Sequence, residues 1–163
     1  MRPLDVSCVI DVPRERVFDY LSDIANHAEF TDHFVKDFRL ERLDSRGVGA
    51  AARFRLLLGL GSIWCEAVLT QLERPYSIVA EGRAGRLGRI EVRTQYRLTP
   101  HDRGMTRVEL TLSLVPARLG DRLREALGAR IWLGYQYRRA LRRLQVILEQ
   151  GERSSHAAPV AAA

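Results

Sequence analysis

Between residues 88 and 115 the chain alternates with a strict two-residue period, twice over, and few folds accept that. Ile90, Val92, Thr94, Tyr96 and Leu98 fall on one side, with Glu91, Arg93, Gln95 and Arg97 on the other. Val108, Leu110, Leu112 and Leu114 then alternate with Arg107, Glu109, Thr111 and Ser113. Successive side chains of a strand point to opposite faces, so both segments require a sheet that is dry on one side and wet on the other. The "PHDRG" between them, at 100–104, is turn chemistry too short for a crossover, so the pair is an antiparallel hairpin.

The rest of the chain fits around that hairpin. Strands are predicted at about 35–44, 50–58, 62–73, 76–83, 88–99 and 105–115, separated by "DSRGVG", "GLG", "ERPY", "RAGRLG" and "PHDRG". Upstream, Leu4, Val6, Cys8 and Ile10 alternate with Asp5, Ser7 and Asp11 as another half-buried strand. Pro13 stands at the first turn of a short helix carrying Val17, Phe18, Leu21 and Ile24. Asn26 is placed to cap a second short helix with Phe30 and Phe34 on its apolar side. Pro116 ends the strands, and a single helix is predicted over 118–149. Leu119, Leu123, Leu127, Ile131, Gly134, Leu141, Leu144 and Leu148 recur three, four or seven apart along it, opposite Arg122, Arg124, Arg139, Arg142 and Arg143. Residues 151–163 have no periodicity and are expected to be a disordered tail on one domain, 1–150.

The order strand, two short helices, six strands, long helix is that of an α+β, helix-grip fold: a curved antiparallel sheet of about seven strands wrapped on the C-terminal helix. One helix does not fill such a concavity, so a hollow is expected between helix and sheet.

Lys36 is the only lysine among 26 basic residues, and the net charge is +6. That charge permits contact with nucleic acid or anionic lipid, but arginines alternating with acids read as a solvated face, which does not favour nucleic acid. Cys8 and Cys65 sit in apolar patterns without a CxxC or Cys/His neighbour, as in a reduced chain. No signal peptide opens the sequence and its longest apolar run is far below the roughly 20 residues that span a bilayer. A cytoplasmic protein is expected.

"VPRERVFDYLSDIANHAEF" at 12–30 resembles the entry helix pair of the START-like, polyketide cyclase/dehydrase superfamily, through Pro13, Val17-Phe18, Leu21-Ser22-Asp23 and the aromatic that follows. The resemblance runs from about residue 4 to 149. Its members include lipid-transfer domains, polyketide cyclases, coenzyme-Q-binding proteins, abscisic-acid receptors and a ribosome-association toxin. It implies a hydrophobic ligand held between sheet and long helix, and leaves the ligand's identity open.

The uncharged run "LLLGLGSIWC" at 56–65 is no phosphate loop, because its glycines lie between two strands and no helix follows. By the resemblance, loops 57–62 and 82–89 stand where the abscisic-acid receptors carry their gate. Apolar residues there would let a greasy ligand pass. Equally, Leu57 and Leu60 would pack on the neighbouring loop or a dimer mate. Arg83, Arg86 and Arg89 would grip an anionic headgroup, or simply decorate a solvated hairpin.

His27, His33, His101 and His156 have no metal spacing, and no nucleophile elbow is present. No cofactor and no metal are expected. Candidate ligand-binding residues on the strands are Leu58, Leu60, Trp64, Ile90, Val92, Thr94, Tyr96, Val108, Leu110 and Leu112. On the helix they are Leu127, Arg130, Ile131, Gly134, Tyr137 and Arg138, with Gly128 and Gly134 leaving room. Trp64 and Trp132 also read as core or rim aromatics. Glu66 is interior if the Trp64/Glu66/Val68 face of its apolar strand is the inner one, and exterior if the Ile63/Cys65/Ala67 face is. If interior, it needs a partner, and Arg130 is the first to test. Tyr96, Arg130 and Glu66 are the catalytic candidates of a cyclase, which polarises a carbonyl and moves protons. The reading preferred is a binder or carrier of a lipid, quinone or polyketide. The alternatives are an aromatic polyketide cyclase/dehydrase and a ribosome- or RNA-associated protein using the arginine face. A transient membrane contact and a homodimer are left open.

Overall fold

The computed structural model describes residues 3–58, 61–85, 88–116 and 124–157. The alternating segments form seven strands, β1 (Leu4–Ile10), β2 (Val35–Leu40), β3 (Ala51–Leu58), β4 (Gly61–Glu73), β5 (Ser77–Ala84), β6 (Ile90–Pro100) and β7 (Thr106–Pro116). All pair antiparallel in one sheet of order β1-β7-β6-β5-β4-β3-β2. The first strand thus closes against the last, and β2 is the far edge. Helix α1 (Arg14–Leu21), a 3-10 turn at Ile24–Asn26 and α2 (His27–Thr31) lie between β1 and β2, and α3 (Arg124–Ala157) ends the described chain. The helix-grip expectation holds.

Register puts every second residue on one face. Leu4, Val6, Cys8 and Ile10 pair with Leu112, Leu110, Val108 and Thr106, and Thr94, Tyr96 and Leu98 continue the same rows on β6. Ile10, Val17, Leu21, Phe30, Phe34, Leu69, Ile78, Val108, Leu110 and Leu144 are completely buried there. Pro13 starts α1 by accepting the Arg16 and Val17 amides on its carbonyl. The buried Thr106 hydroxyl is satisfied by donating to the Val12 carbonyl at 2.7 Å.

Two devices bend the sheet. β4 shifts register between Leu69 and Gln71, which leaves Thr70 as an extra residue. At Gly82 the backbone of β5 lies directly on β4: a Cβ there would stand 1.7 Å from the Glu66 carbonyl oxygen and 2.6 Å from its carbon. Only a residue without a side chain allows that approach.

Several expectations are corrected. β2 stops at Leu40 rather than 44, and it is bulged inside: Asp37 takes a left-handed conformation (φ 53) and the register shifts between Lys36 and Arg39. Asn26 does not cap α2 with its side chain, which instead donates to the Tyr20 carbonyl at 2.9 Å. Asp23 caps the preceding 3-10 turn, accepting the Ala25 amide. Residues 151–157, expected in a disordered tail, continue α3. A helix already nucleated propagates through a polar stretch at little cost. The Arg16–Glu152 pair at 3.1 Å holds that last part near α1.

Both cysteines are free thiols. Burial pushes each up to about 12, with the nearby Glu149 carboxylate adding to the effect on Cys8.

Gly82→Ala should cost more than about 3 kcal/mol, since its Cβ meets backbone that cannot step aside. Gly61→Ala, with nothing within 4 Å of its Cβ, should lie within about 1 kcal/mol of the parent. Urea unfolding of the two variants checks the contrast.

Candidate functional site

The concave face of the sheet is sealed at one end and loosely covered at the other. At the sealed end Ile78, Leu98 and Val108 are covered by Leu21, Ile24, Phe30, Leu141 and Leu144, all at 2 % exposure or less. Toward the β3–β4 hairpin the same face carries Ile63, Ala67, Gly82, Ile90, Val92, Thr94 and Leu114, and all of these are half-buried. Trp132 and Tyr137 of α3 face them, also half-buried and packed against the core. Phe34 holds this part of α3 in place: its ring meets Tyr137 edge-on at 5.2 Å and Trp132 at 6.2 Å.

Few polar groups reach the interior. Tyr96 is 3 % exposed, and its ring meets the edge of His27 at 5.7 Å. Burial first, and the neighbouring Tyr137 oxygen second, push its hydroxyl above the ordinary phenol range. Tyr137 is pushed the same way by burial and by the Cys65 sulfur. Neither hydroxyl has a hydrogen-bond partner among the described residues. His27 lies 2.8 Å from the Leu21 carbonyl through Nε2. A carbonyl only accepts, so Nε2 carries the proton and Nδ1 is a bare acceptor. Burial lowers the pKa of His27, against the opposing pull of that carbonyl and of Asp23. The interior therefore offers two neutral phenol donors, one neutral imidazole and, on the half-buried wall, the Thr94 hydroxyl. Such a set orients a carbonyl or hydroxyl and holds no ion.

The structure divides the residues singled out in the sequence. Leu58, Ile90, Val92, Thr94 and Tyr96 share the concave face, and Tyr137 meets them from the helix. Val108, Leu110 and Leu112 share it too, but as packed floor. Trp64 and Glu66 do not. Cys65 is buried and pairs with Ala84 on the inner face, so its neighbours point outward. Trp64 is 45 % exposed, with the Arg53 guanidinium 5.1 Å over its ring. Arg130 donates to the Pro3 carbonyl at 2.9 Å, far from Glu66 on the outer face of β4, so the expected pair is not formed. Ile131 is 69 % exposed and Arg138 is also on the outer side of α3. Gly134 leaves room for β1 instead of a ligand, since a Cβ there would meet Leu4 at 3.2 Å. Leu60 and the Leu127 side chain lie outside the described residues, as does part of each expected gate loop.

Sequence reasoning missed His27, which carries no spacing signal, and the role of Phe34 in fixing Tyr137. Among the described residues no three metal-ligating side chains come together. A concavity of about 390 Å³ also opens on the outer face of the sheet, over Asp5, Ser7, Arg97, Glu109 and Thr111. Its lining is charged and hydroxylated, and Thr111 donates to Asp5 across it at 2.7 Å.

Residues 1–149 match the family described as polyketide cyclase / dehydrase and lipid transport. The chain belongs to that family. No curated protein matches it in sequence. Among solved structures, a START superfamily protein from Mycobacterium smegmatis is similar with a TM-score of 0.69 at 11% identity, covering 91% of this chain and 97% of that one. The Zhui aromatase/cyclase from Streptomyces sp. R1128 is similar at 0.67 and 16% identity, over 96% and 97%. The KanY protein is similar at 0.74 and 13% identity, over 91% and 97%. At such identities the likeness is one of fold. It agrees with the curled half-barrel and C-terminal helix described above.

The family fold encloses His27 as a neutral imidazole, and that has a measurable sign. Its folded pKa lies below the ordinary 6.5, so the unfolded chain takes up the proton first. Stability should be complete above that value and fall as the pH drops below it. Half-buried His33, also lowered by burial, acts in the same window. His27→Gln should make the loss of stability between about pH 7 and 5 shallower in urea titrations. An unchanged slope would mean that His27 takes its proton in the fold.

Proposed function

We propose that the protein binds and carries an uncharged hydrophobic small molecule, of lipid, quinone or polyketide type, between the concave face of the sheet and α3. The observation that carries this reading is the inner face at the β3–β4 end. It is apolar and half-buried, and it holds no Asp, Glu, Lys or Arg among the described residues of β1 and β3 to β7. Apolar wall that is only half-buried keeps burial and dispersion energy in reserve, which a ligand would supply. Tyr96 and Tyr137 supply hydrogen-bond donors at the inner limit of that wall. They would fix the polar end of a ligand whose body is held by shape.

The family's description joins cyclisation and lipid transport, and a fold neighbour is an aromatase/cyclase by name. A carrier is favoured here because two of the three catalytic candidates, Glu66 and Arg130, stand away from the enclosed wall. Free thiols at Cys8 and Cys65 support a cytoplasmic setting.

Purified protein should show an apolar adduct in native mass spectrometry and should enhance the fluorescence of diphenylhexatriene, a neutral apolar probe. Val92→Trp, which places an indole on the half-buried wall, should weaken probe binding at least about tenfold while the melting temperature holds. Protein that is always empty and silent to the probe would overturn the reading.

A further inference from the structure

The outer side of α3 presents an apolar and cationic surface that the ligand reading does not use. At 100° per residue, Ile131, Tyr135, Arg138, Arg142, Val146 and Arg153 fall within one arc of about 80°. Ile131 is 69 %, Tyr135 59 % and Val146 51 % exposed. Arg138, Arg142 and Arg153 are exposed on the same stripe, and Arg139 borders it. No acidic residue occurs between 126 and 148; Glu149, the one acid within that arc, accepts from the Asp11 amide and from Gln145, and Glu152, outside it, pairs with Arg16. Arg138, Arg139 and Arg142 have no ion pair among the described residues. From Ile131 to Arg153 the stripe is about 33 Å long.

Three large apolar side chains held in water beside several unneutralised guanidinium groups fit a surface that is itself negative and apolar just beneath. We infer that this face of α3 docks on the surface of an anionic lipid bilayer, lying in its plane. Charge complementarity selects that occupant over a second copy of the chain, which would bring two cationic stripes together. The interleaved Ile131, Tyr135 and Val146 select it over nucleic acid, which offers phosphate without an apolar layer. Arginine heads would reach the phosphates while Ile131 and Val146 enter the acyl boundary and Tyr135 sits at headgroup level. No described helix is long and apolar enough to cross a membrane, so the contact is with the surface. It places the ligand-covering helix against a reservoir of lipid, and it stands whether or not the interior holds a ligand.

The test is flotation of the full chain with vesicles of phosphatidylcholine alone or with about 30 mol% phosphatidylglycerol. Binding is expected only to the anionic vesicles and should weaken with salt. Arg138→Gln and Arg142→Gln should each lower the partition coefficient about fivefold, the equivalent of ~1 kcal/mol per charge. Ile131→Ser with Val146→Ser should lower it at least about tenfold with the circular dichroism spectrum and melting temperature unchanged. The inference is overturned by equal binding to both vesicle types, by no binding, or by serine variants that bind like the parent. Retention on single-stranded RNA without vesicle binding, or a dimer in sedimentation that the serine variants dissolve, would overturn it equally.

Discussion

One helix about 10–12 Å across cannot cover a flat sheet of seven strands spaced about 4.8 Å apart. A sheet with one apolar face and a single long helix must therefore curl until that face closes on itself. Gly82 permits the curl where β5 lies on the backbone of β4, and the extra residue at Thr70 adds twist in the same strand pair. The two short helices then plug one end with Leu21, Ile24 and Phe30. At the other end Ile63, Ala67, Ile90, Val92, Thr94 and Leu114 stay half-buried, beside buried Leu56, Cys65 and Ala84. The contrast between the ends follows from how much apolar surface the chain supplies to each.

The electrostatics of the interior follow from the same enclosure. Every titratable group that reaches it is driven toward its neutral form: the phenols of Tyr96 and Tyr137 and the thiol of Cys65 upward, the imidazole of His27 downward. A charge brought into such a space would give up its hydration for a few weak dipoles, a large loss. Selection inside would thus rest on shape, apolar area and one or two hydrogen bonds. The described charges of β3 to β7 lie on the outer face of the sheet, and the exposed arginines of α3 on its outer side. On the two proposals made above, each side would serve a different partner.

Most of the architecture was legible because β-alternation is local. Ile90 to Leu98 and Val108 to Leu114 announce their inner face without knowledge of their neighbours, and the observed register agrees. Glu66 was not legible for the opposite reason. Its strand carries apolar residues on both sides, Trp64 and Val68 against Cys65 and Ala67, so periodicity could not choose. The choice was made by pairing, since Cys65 faces Phe54 and Ala84 across the sheet. The close approach at Gly82 was hidden too, because it depends on where a different strand passes. Beyond Gln150 the sequence lacked an apolar stripe, yet a stripe reports packing and not helicity, and α3 continues.

The helix residues were the least legible, and one contact explains them together. An apolar stripe fixes the phase of a helix only to within the width of the stripe, which here is broad. Gly134 narrows it: without a Cβ it lets α3 settle against Leu4 of β1. Rotation about the axis is then set by that contact and by Phe34 against Tyr137. With Gly134 turned to β1, Tyr137 three residues on lies toward the sheet, while Ile131 and Arg138 lie on the far side. The same small residue that reads in sequence as space left for a ligand thus fixes the helix phase, bringing a phenol to the enclosed wall and sending Ile131 and an arginine to the outside.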